Sequence, residues 1–130
     1  MFSHIMLGVN DLEGGKRFYD ALLGQLGIAP GVANKNRFFY RSPTGTFAIT
    51  TPIDGSPATA GNGATTGFAA QSVEQVNAAH AAGLAAGGQS IEEAPGWRGE
   101  GVGALYLAYL RDPSGNKICL LHRPAKTLAP

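Results

Sequence analysis

Cysteine and charge are both scarce in this sequence. A single cysteine, Cys119, among 130 residues excludes an internal disulfide, so the fold must be held by its core and its hydrogen bonds. Charged residues make up 15% of the chain, and ten Lys and Arg nearly balance nine Asp and Glu. A nucleic-acid partner is therefore not expected, because binding to phosphates needs clustered positive charge.

Long apolar runs are missing as well. No segment approaches the roughly 18 consecutive apolar residues that a membrane-spanning helix requires, and the N-terminal residues lack the basic segment of a secretion signal. We therefore expect no membrane association and, together with the lone cysteine, a cytoplasmic protein. The 130 residues, of which 44% are hydrophobic, suit one domain over residues 1–130 with one core.

The chain contains an internal repeat. An apolar strand that begins at His4 is followed by a helix, and a second strand that begins at Thr65 is followed by another helix. Aligning His4 with Thr65 gives an offset of 61 residues, whereas aligning the turn at 42–45 with the turn at 112–115 gives 70. The extra residues fit inside the glycine-rich loop at 95–103.

Two βαβββ modules account for both offsets. Module 1 covers about residues 1–55 and module 2 about residues 64–124, and a linker rich in Gly and Pro lies between them. One such module alone leaves a face of its sheet uncovered, so pairing two of them buries a core and encloses a cavity. The sequence therefore predicts an α+β fold.

Three segments carry a family resemblance. They are the opening HIMLGVNDLEGGKRFYDALLG, the central TTGFAAQSVEQVNAAHAAGLAAGG and the closing YLAYLRDPSGNKICLLHRP. Together they resemble the vicinal oxygen chelate superfamily, which includes glyoxalase I, bleomycin-resistance proteins and extradiol dioxygenases. The resemblance implies that the two tandem modules form a half-open barrel around a cavity for a small-molecule ligand or a metal, and that the protein is a homodimer.

The resemblance also implies where a metal would bind. Metal-using members place ligands at up to four positions, on the first and last strands of each module. Here these positions hold His4, Ile49, Thr65 and Cys119. Only His4 matches the family pattern, whereas a catalytic divalent metal needs about three protein ligands. We therefore expect no cofactor, and a divalent metal held by His4 is the alternative.

The glycine-rich loop adds further candidates. In relatives this region often covers the mouth of the cavity, and here it contains the only tryptophan, Trp97, next to the positively charged Arg98. An ordinary surface loop or a dimer contact is the alternative for Trp97. The candidate ligand-binding residues are His4, Ile49, Thr51, Thr65, Trp97, Arg98, Tyr106 and Cys119.

Two functions follow from these observations. The first is a protein that binds a small organic ligand in the cavity without a complete metal site, similar to bleomycin-resistance members. The alternative is a divergent metal-dependent lyase or dioxygenase, similar to lactoylglutathione lyase, with His4 as a metal ligand. A glyoxalase-type proton transfer uses a carboxylate, and neither Ile49 nor Cys119 supplies one, which favours the binding protein.

Overall fold

The computed structural model describes residues 1–125 and has the α+β architecture that the sequence predicts. Two helices and nine strands, three of them only two or three residues long, are assigned within this range. In chain order they are β1 (His4–Gly8), α1 (Leu12–Gly24), β2 (Val32–Asn34), β3 (Arg37–Ser42), β4 (Gly45–Thr50), β5 (Thr66–Ala70), α2 (Val73–Ala85), β6 (Gln89–Ser90), β7 (Gly96–Arg98), β8 (Leu105–Arg111) and β9 (Lys117–His122). Neither helix in this range has the length and hydrophobicity that crossing a bilayer requires.

The strands form two separate mixed sheets, one from each half of the chain. Sheet 1 has the order β1-β4-β3-β2, and sheet 2 has the order β5-β9-β8-β6, with β7 also paired to β8. In each sheet the first strand runs parallel to the last strand, and the other pairs are antiparallel. The sheets do not close into a barrel, which agrees with the half-open arrangement expected from the family resemblance.

Both helices begin at a polar side chain that caps them. The Asp11 carboxylate accepts a hydrogen bond from the N–H of Gly14, and the Ser72 hydroxyl accepts one from the N–H of Gln75, each at 3.1 Å. These side chains satisfy donors that the first turn of a helix leaves without a backbone partner. The first helix ends at Gly24 and the second at Ala85.

The strand registers refine the internal repeat. Ile5 pairs with Phe47 in sheet 1, and Thr66 pairs with Ile118 in sheet 2. With the first strands aligned at the predicted offset of 61 residues, these pairs give an offset of 71 for the last strands, whereas the alignment of the turns gives 70. The extra residue belongs to the turn before the last strand, because β4 already begins at Gly45 whereas β9 begins only at Lys117.

Each sheet has one face on the hydrophobic core and one face away from it. Alternate residues such as Phe47 and Ile49 of β4, or Ile118 and Leu120 of β9, belong to the core cluster that also contains the buried helix residues. The residues between them point to the opposite side, which we call the open face of each sheet. The open face of sheet 1 carries His4, Met6, Arg37, Phe39, Arg41, Thr46, Ala48 and Thr50, and that of sheet 2 carries Gly67, Ala69, Leu107, Tyr109, Lys117, Cys119 and Leu121.

A buried carboxylate joins the two halves of the chain. Asp112, in the loop between β8 and β9, is only 4% exposed and accepts a hydrogen bond of 2.7 Å from the Tyr19 hydroxyl of α1. It also accepts from the backbone N–H groups of Ser114 and Asn116 and from the Asn116 side-chain amide, each at 2.9 Å. The same amide donates to the carbonyl oxygen of Gly8 at 2.9 Å. This loop of module 2 is thereby attached to both α1 and β1 of module 1.

The Tyr19 phenol stays protonated in this arrangement. Burial, and next the negative charge of Asp112, raises the pKa of Tyr19 well above its ordinary value. The hydroxyl therefore remains a hydrogen-bond donor to Asp112 over the whole physiological pH range.

Removing the Asp112 carboxylate should destabilise the protein strongly. We expect Asp112→Ala to lower the free energy of unfolding by about 2–4 kcal/mol, because several buried donors lose their acceptor. Urea unfolding followed by circular dichroism measures the change. Asp54→Ala is the matched control, since Asp54 is exposed and its carboxylate accepts one local hydrogen bond, from the N–H of Ser56. A loss for Asp112→Ala no larger than that of the control would contradict this role.

Candidate functional site

A cavity of about 300 Å³ lies between the edge strands of the two sheets. It is lined by residues of β1, β3, β4 and β5, with contributions from the N-terminus and from the segment after α1. We call this cavity the inter-sheet cleft. The apolar lining residues that pack against the core are Leu26, Ile28, Phe47 and Phe68, and the lining residues that bear hydroxyl groups are Ser3, Tyr40, Ser42, Thr44, Thr46 and Thr66.

Aromatic rings from both halves of the chain meet beside the cleft. The rings of Phe47 and Phe68 pack edge to face, with centroids 5.0 Å apart and an angle of 87° between their planes. Tyr19 of α1 packs on Phe47, with ring centroids 4.8 Å apart. Because Phe47 belongs to sheet 1 and Phe68 to sheet 2, these contacts hold the two walls of the cleft together.

The lining of the cleft consists of one imidazole, that of His4, and otherwise of apolar and hydroxyl-bearing residues. None of its lining residues among residues 1–125 is Asp, Glu, Lys or Arg. Burial, and next the hydrogen bond that its hydroxyl donates to Asp20, raises the pKa of Tyr40 well above its ordinary value. His4 is exposed, and a hydrogen bond of 2.7 Å joins its Nδ1 to the Ser3 hydroxyl. A site of this kind favours a neutral ligand with an apolar body.

The open faces of the sheets form a second type of surface. Met6 and Phe39 on sheet 1, and Leu107 and Leu121 on sheet 2, are half-buried. On sheet 2 the backbone registers place Cys119 between Gly67 and Tyr109. Burial is the main cause of a raised pKa for Cys119, so its thiol remains protonated and is not an activated nucleophile.

The predicted ligand-binding residues lie on several different surfaces. His4 lies on the open face of sheet 1 and also lines the inter-sheet cleft, whereas Cys119 lies on the open face of sheet 2. Thr65 immediately precedes β5 and is exposed. Thr51 follows β4, where its hydroxyl and carbonyl oxygens accept hydrogen bonds from the Asn36 amide at 2.8 and 3.2 Å.

Ile49 lies in the core and not on the face of sheet 1 that corresponds to the face of sheet 2 carrying Cys119. It is fully buried, and its Cδ1 atom lies 3.0 Å from where a Cβ on Gly15 would stand. By the observed offset of 71 residues, the counterpart of Cys119 in sheet 1 is Ala48. A shift of one residue in register exchanges the two faces of a strand, which is the physical reason for the difference.

Tyr106 and Trp97 lie on the helix side of sheet 2. The Tyr106 hydroxyl donates to the Asn77 side chain of α2 at 2.8 Å, and the Trp97 ring packs edge-on against Tyr106 with centroids 5.4 Å apart. Arg98 donates to the carbonyl oxygen of Ala94 at 3.1 Å. The segment expected to be a glycine-rich loop thus contains a short strand, β7, because Gly96–Arg98 pairs with β8.

The lining residues of the inter-sheet cleft were not among the sequence candidates, apart from His4. Leu26, Ile28, Phe47 and Phe68 are apolar residues in or beside short elements, a pattern that is equally typical of core residues. No local motif marks them, because only the packing of one half of the chain on the other brings them together.

The residues of one chain do not fit a catalytic divalent metal. No group of three His, Cys, Asp or Glu side chains comes together within residues 1–125. His4 pairs with Thr46 in sheet 1, whereas Cys119 belongs to sheet 2. A catalytic metal would need about three ligands in one place, and these residues do not provide them.

Comparison with known proteins gives a consistent family. Residues 1–120 match the family model of the Glyoxalase/Bleomycin resistance protein/Dioxygenase superfamily. The solved structure of a glyoxalase/bleomycin resistance protein from Albidiferax ferrireducens T118 is similar to this chain, with 73% identity and a TM-score of 0.92. The match covers 95% of this chain and 99% of that one.

More distant structures share the fold. A glyoxalase-related enzyme from Fulvimarina pelagi is 22% identical with a TM-score of 0.73, over 99% of this chain and 92% of its own. A glyoxalase/bleomycin resistance protein/dioxygenase family enzyme from Burkholderia phytofirmans PsJN is 17% identical with a TM-score of 0.71, over 94% and 98%. None of the curated proteins matches the chain. The family match and the 73% identical structure establish that this chain belongs to the glyoxalase/bleomycin resistance protein/dioxygenase superfamily.

Proposed function

We propose that this protein binds a small, neutral and largely apolar organic molecule in the inter-sheet cleft. The observation that carries the proposal is a cleft of about 300 Å³ with aromatic and aliphatic walls and no ionised carboxylate, ammonium or guanidinium group among its described lining residues. This volume is at the lower end of the roughly 300–1,000 Å³ that is typical of small-molecule sites, so the ligand has one or two rings.

Apolar and polar groups in the walls of the cleft have different roles in ligand binding. Burial of the ligand against Phe47 and Phe68 supplies affinity, at roughly 25 cal/mol for each Å² of apolar surface removed from water. The hydroxyl groups of Ser42 and Thr46, which also line the cleft, offer hydrogen bonds that fix the orientation of one polar substituent.

The proposed binding uses the protein's own side chains and no metal or other cofactor. Its support is the chemistry of the lining, in which His4 is the one residue with a common metal-binding side chain. We also propose a cytoplasmic location, which a chain with one cysteine and therefore no internal disulfide suits.

We further propose that the protein is a homodimer in which a second copy covers the open faces of the sheets. Met6, Phe39, Leu107 and Leu121 leave apolar surface half-exposed on these two faces. A sheet face of this composition is normally covered by another layer of structure, and one chain alone supplies no such layer within its described residues.

Filling the cleft should abolish ligand binding. The probe is 1-naphthol, a neutral two-ring molecule with one hydroxyl group, titrated by isothermal calorimetry. Thr44→Phe adds a ring at an exposed residue of the cleft lining that lies on neither open face, and we expect it to weaken binding by at least about tenfold. Thr59→Phe makes the same change at an exposed residue between the modules, outside the lining, and should leave the affinity unchanged. Equal losses in the two variants, or no saturable binding to the unmodified protein, would contradict the proposal.

Elemental analysis tests the proposal that ligand binding uses no metal. Protein purified without an affinity tag should contain far less than one metal ion per chain, before and after incubation with Ni²⁺, Zn²⁺, Fe²⁺ or Mn²⁺. His4→Ala should not change this content. Near-stoichiometric metal that disappears in His4→Ala would instead support the metal-dependent enzyme.

A charge on an open face should disrupt the dimer. We expect the unmodified protein to sediment as a dimer in analytical ultracentrifugation and Leu121→Glu to shift it to the monomer, because Leu121 lies between Ala69 and Leu107 and a carboxylate there would be buried without a cationic partner. Ile53→Glu introduces the same charge at a residue that is 94% exposed and outside the open faces, and it should stay dimeric. A monomeric unmodified protein would refute this arrangement.

A further inference from the structure

A second cavity, of about 370 Å³, lies where the segment between the modules meets the end of sheet 2. It is lined by residues 60–65 together with Arg111 and Lys117, and it shares no lining residue with the inter-sheet cleft. We call it the linker pocket. None of its lining residues among residues 1–125 is acidic, whereas two of them are cationic.

The two cationic residues of the linker pocket lie on neighbouring strands. Arg111 of β8 and Lys117 of β9 are direct partners across the antiparallel pair. Arg111 Nη1 donates to the carbonyl oxygen of Gly115 at 2.8 Å, which fixes the guanidinium group and leaves most of its five N–H donors for other acceptors. The Lys117 ammonium group lies 4.8 Å from the centre of the Tyr109 ring.

One weak ion pair competes for this site. Lys117 pairs with Glu92, whose side chain is 48% exposed. Within residues 1–125, no carboxylate lies within salt-bridge distance of Arg111. Because a partly exposed ion pair contributes at most about 1 kcal/mol, an anion that contacts both cations can displace Glu92 from Lys117.

We propose that the linker pocket binds a small oxyanion, either a carboxylate or a phosphate, between Arg111 and Lys117. Charge-assisted hydrogen bonds from a fixed guanidinium and an ammonium group match the several acceptor oxygens of such an anion. The Thr65 hydroxyl supplies a further donor in the lining. Gly63 has a φ of +94°, a conformation that glycine adopts readily, and its lack of a side chain lets an anion approach the backbone closely.

The test is a titration of the full-length protein with inorganic phosphate and, separately, with succinate, at constant ionic strength. Nuclear magnetic resonance should show saturable shifts of the amide signals of residues 61–65. We expect Lys117→Gln to weaken binding by about tenfold, because one charge-assisted contact is lost. Unchanged signals elsewhere in the spectrum of this variant confirm that it is folded.

Glu92→Gln should strengthen anion binding, whereas Lys117→Gln should weaken it. The change at Glu92 removes the competing carboxylate, so the anion should bind severalfold more tightly. Glu93→Gln makes the same change in net charge at the neighbouring residue, whose carboxylate lies 3.7 Å from Arg98, and should leave the affinity unchanged.

The possible outcomes distinguish phosphate binding from carboxylate binding, and both from failure of the proposal. Saturable binding of phosphate alone, or of succinate alone, supports the site and assigns its class, and binding of both supports a general oxyanion site. Shifts that do not saturate with either anion, or equal effects of Glu92→Gln and Glu93→Gln, would overturn it. The titration is independent of the inter-sheet cleft, since the two cavities share no lining residue.

Discussion

The buried carboxylate of Asp112 is the interaction on which the placement of the two modules depends. A carboxylate that is 4% exposed is stable only when its oxygens are fully hydrogen-bonded, and its donors come from α1 and from its own loop. The loop also reaches β1 through Asn116. Because Arg111 and Lys117 stand at either end of this loop, the contact that joins the modules also positions the two cations of the linker pocket.

The two cavities differ in chemistry because different kinds of residue line them. The inter-sheet cleft lies beside the packed aromatic rings of Phe47 and Phe68, so its inner surface is apolar and uncharged. The linker pocket lies at the end of a strand pair, beside a segment rich in glycine, and its charge comes from Arg111 and Lys117. The fold thus contains an apolar cavity and a cationic cavity that have no lining residue in common.

Much of the fold was predictable from the sequence, because it is encoded locally. The caps, the turns and the repeat of strand and helix each depend on neighbouring residues, and the family segments span nearly the whole chain. The candidate site was less predictable. A single residue of register separates Ile49 in the core from Ala48 on the open face, and alternation alone does not reveal that Tyr106 faces α2. In the sequence Phe68 has the pattern of a core residue, and only the packing of the two modules places it beside the cleft.

Intermolecular nuclear Overhauser effects between 1-naphthol and the protein test the central claim most directly, because they locate the bound molecule without any mutation. Binding in the inter-sheet cleft predicts contacts from the naphthol ring to the ring protons of Phe47 and Phe68 and to the methyl groups of Ile28. Contacts confined to Met6 and Phe39, on the open face of sheet 1, would place the ligand outside the cleft and contradict the account.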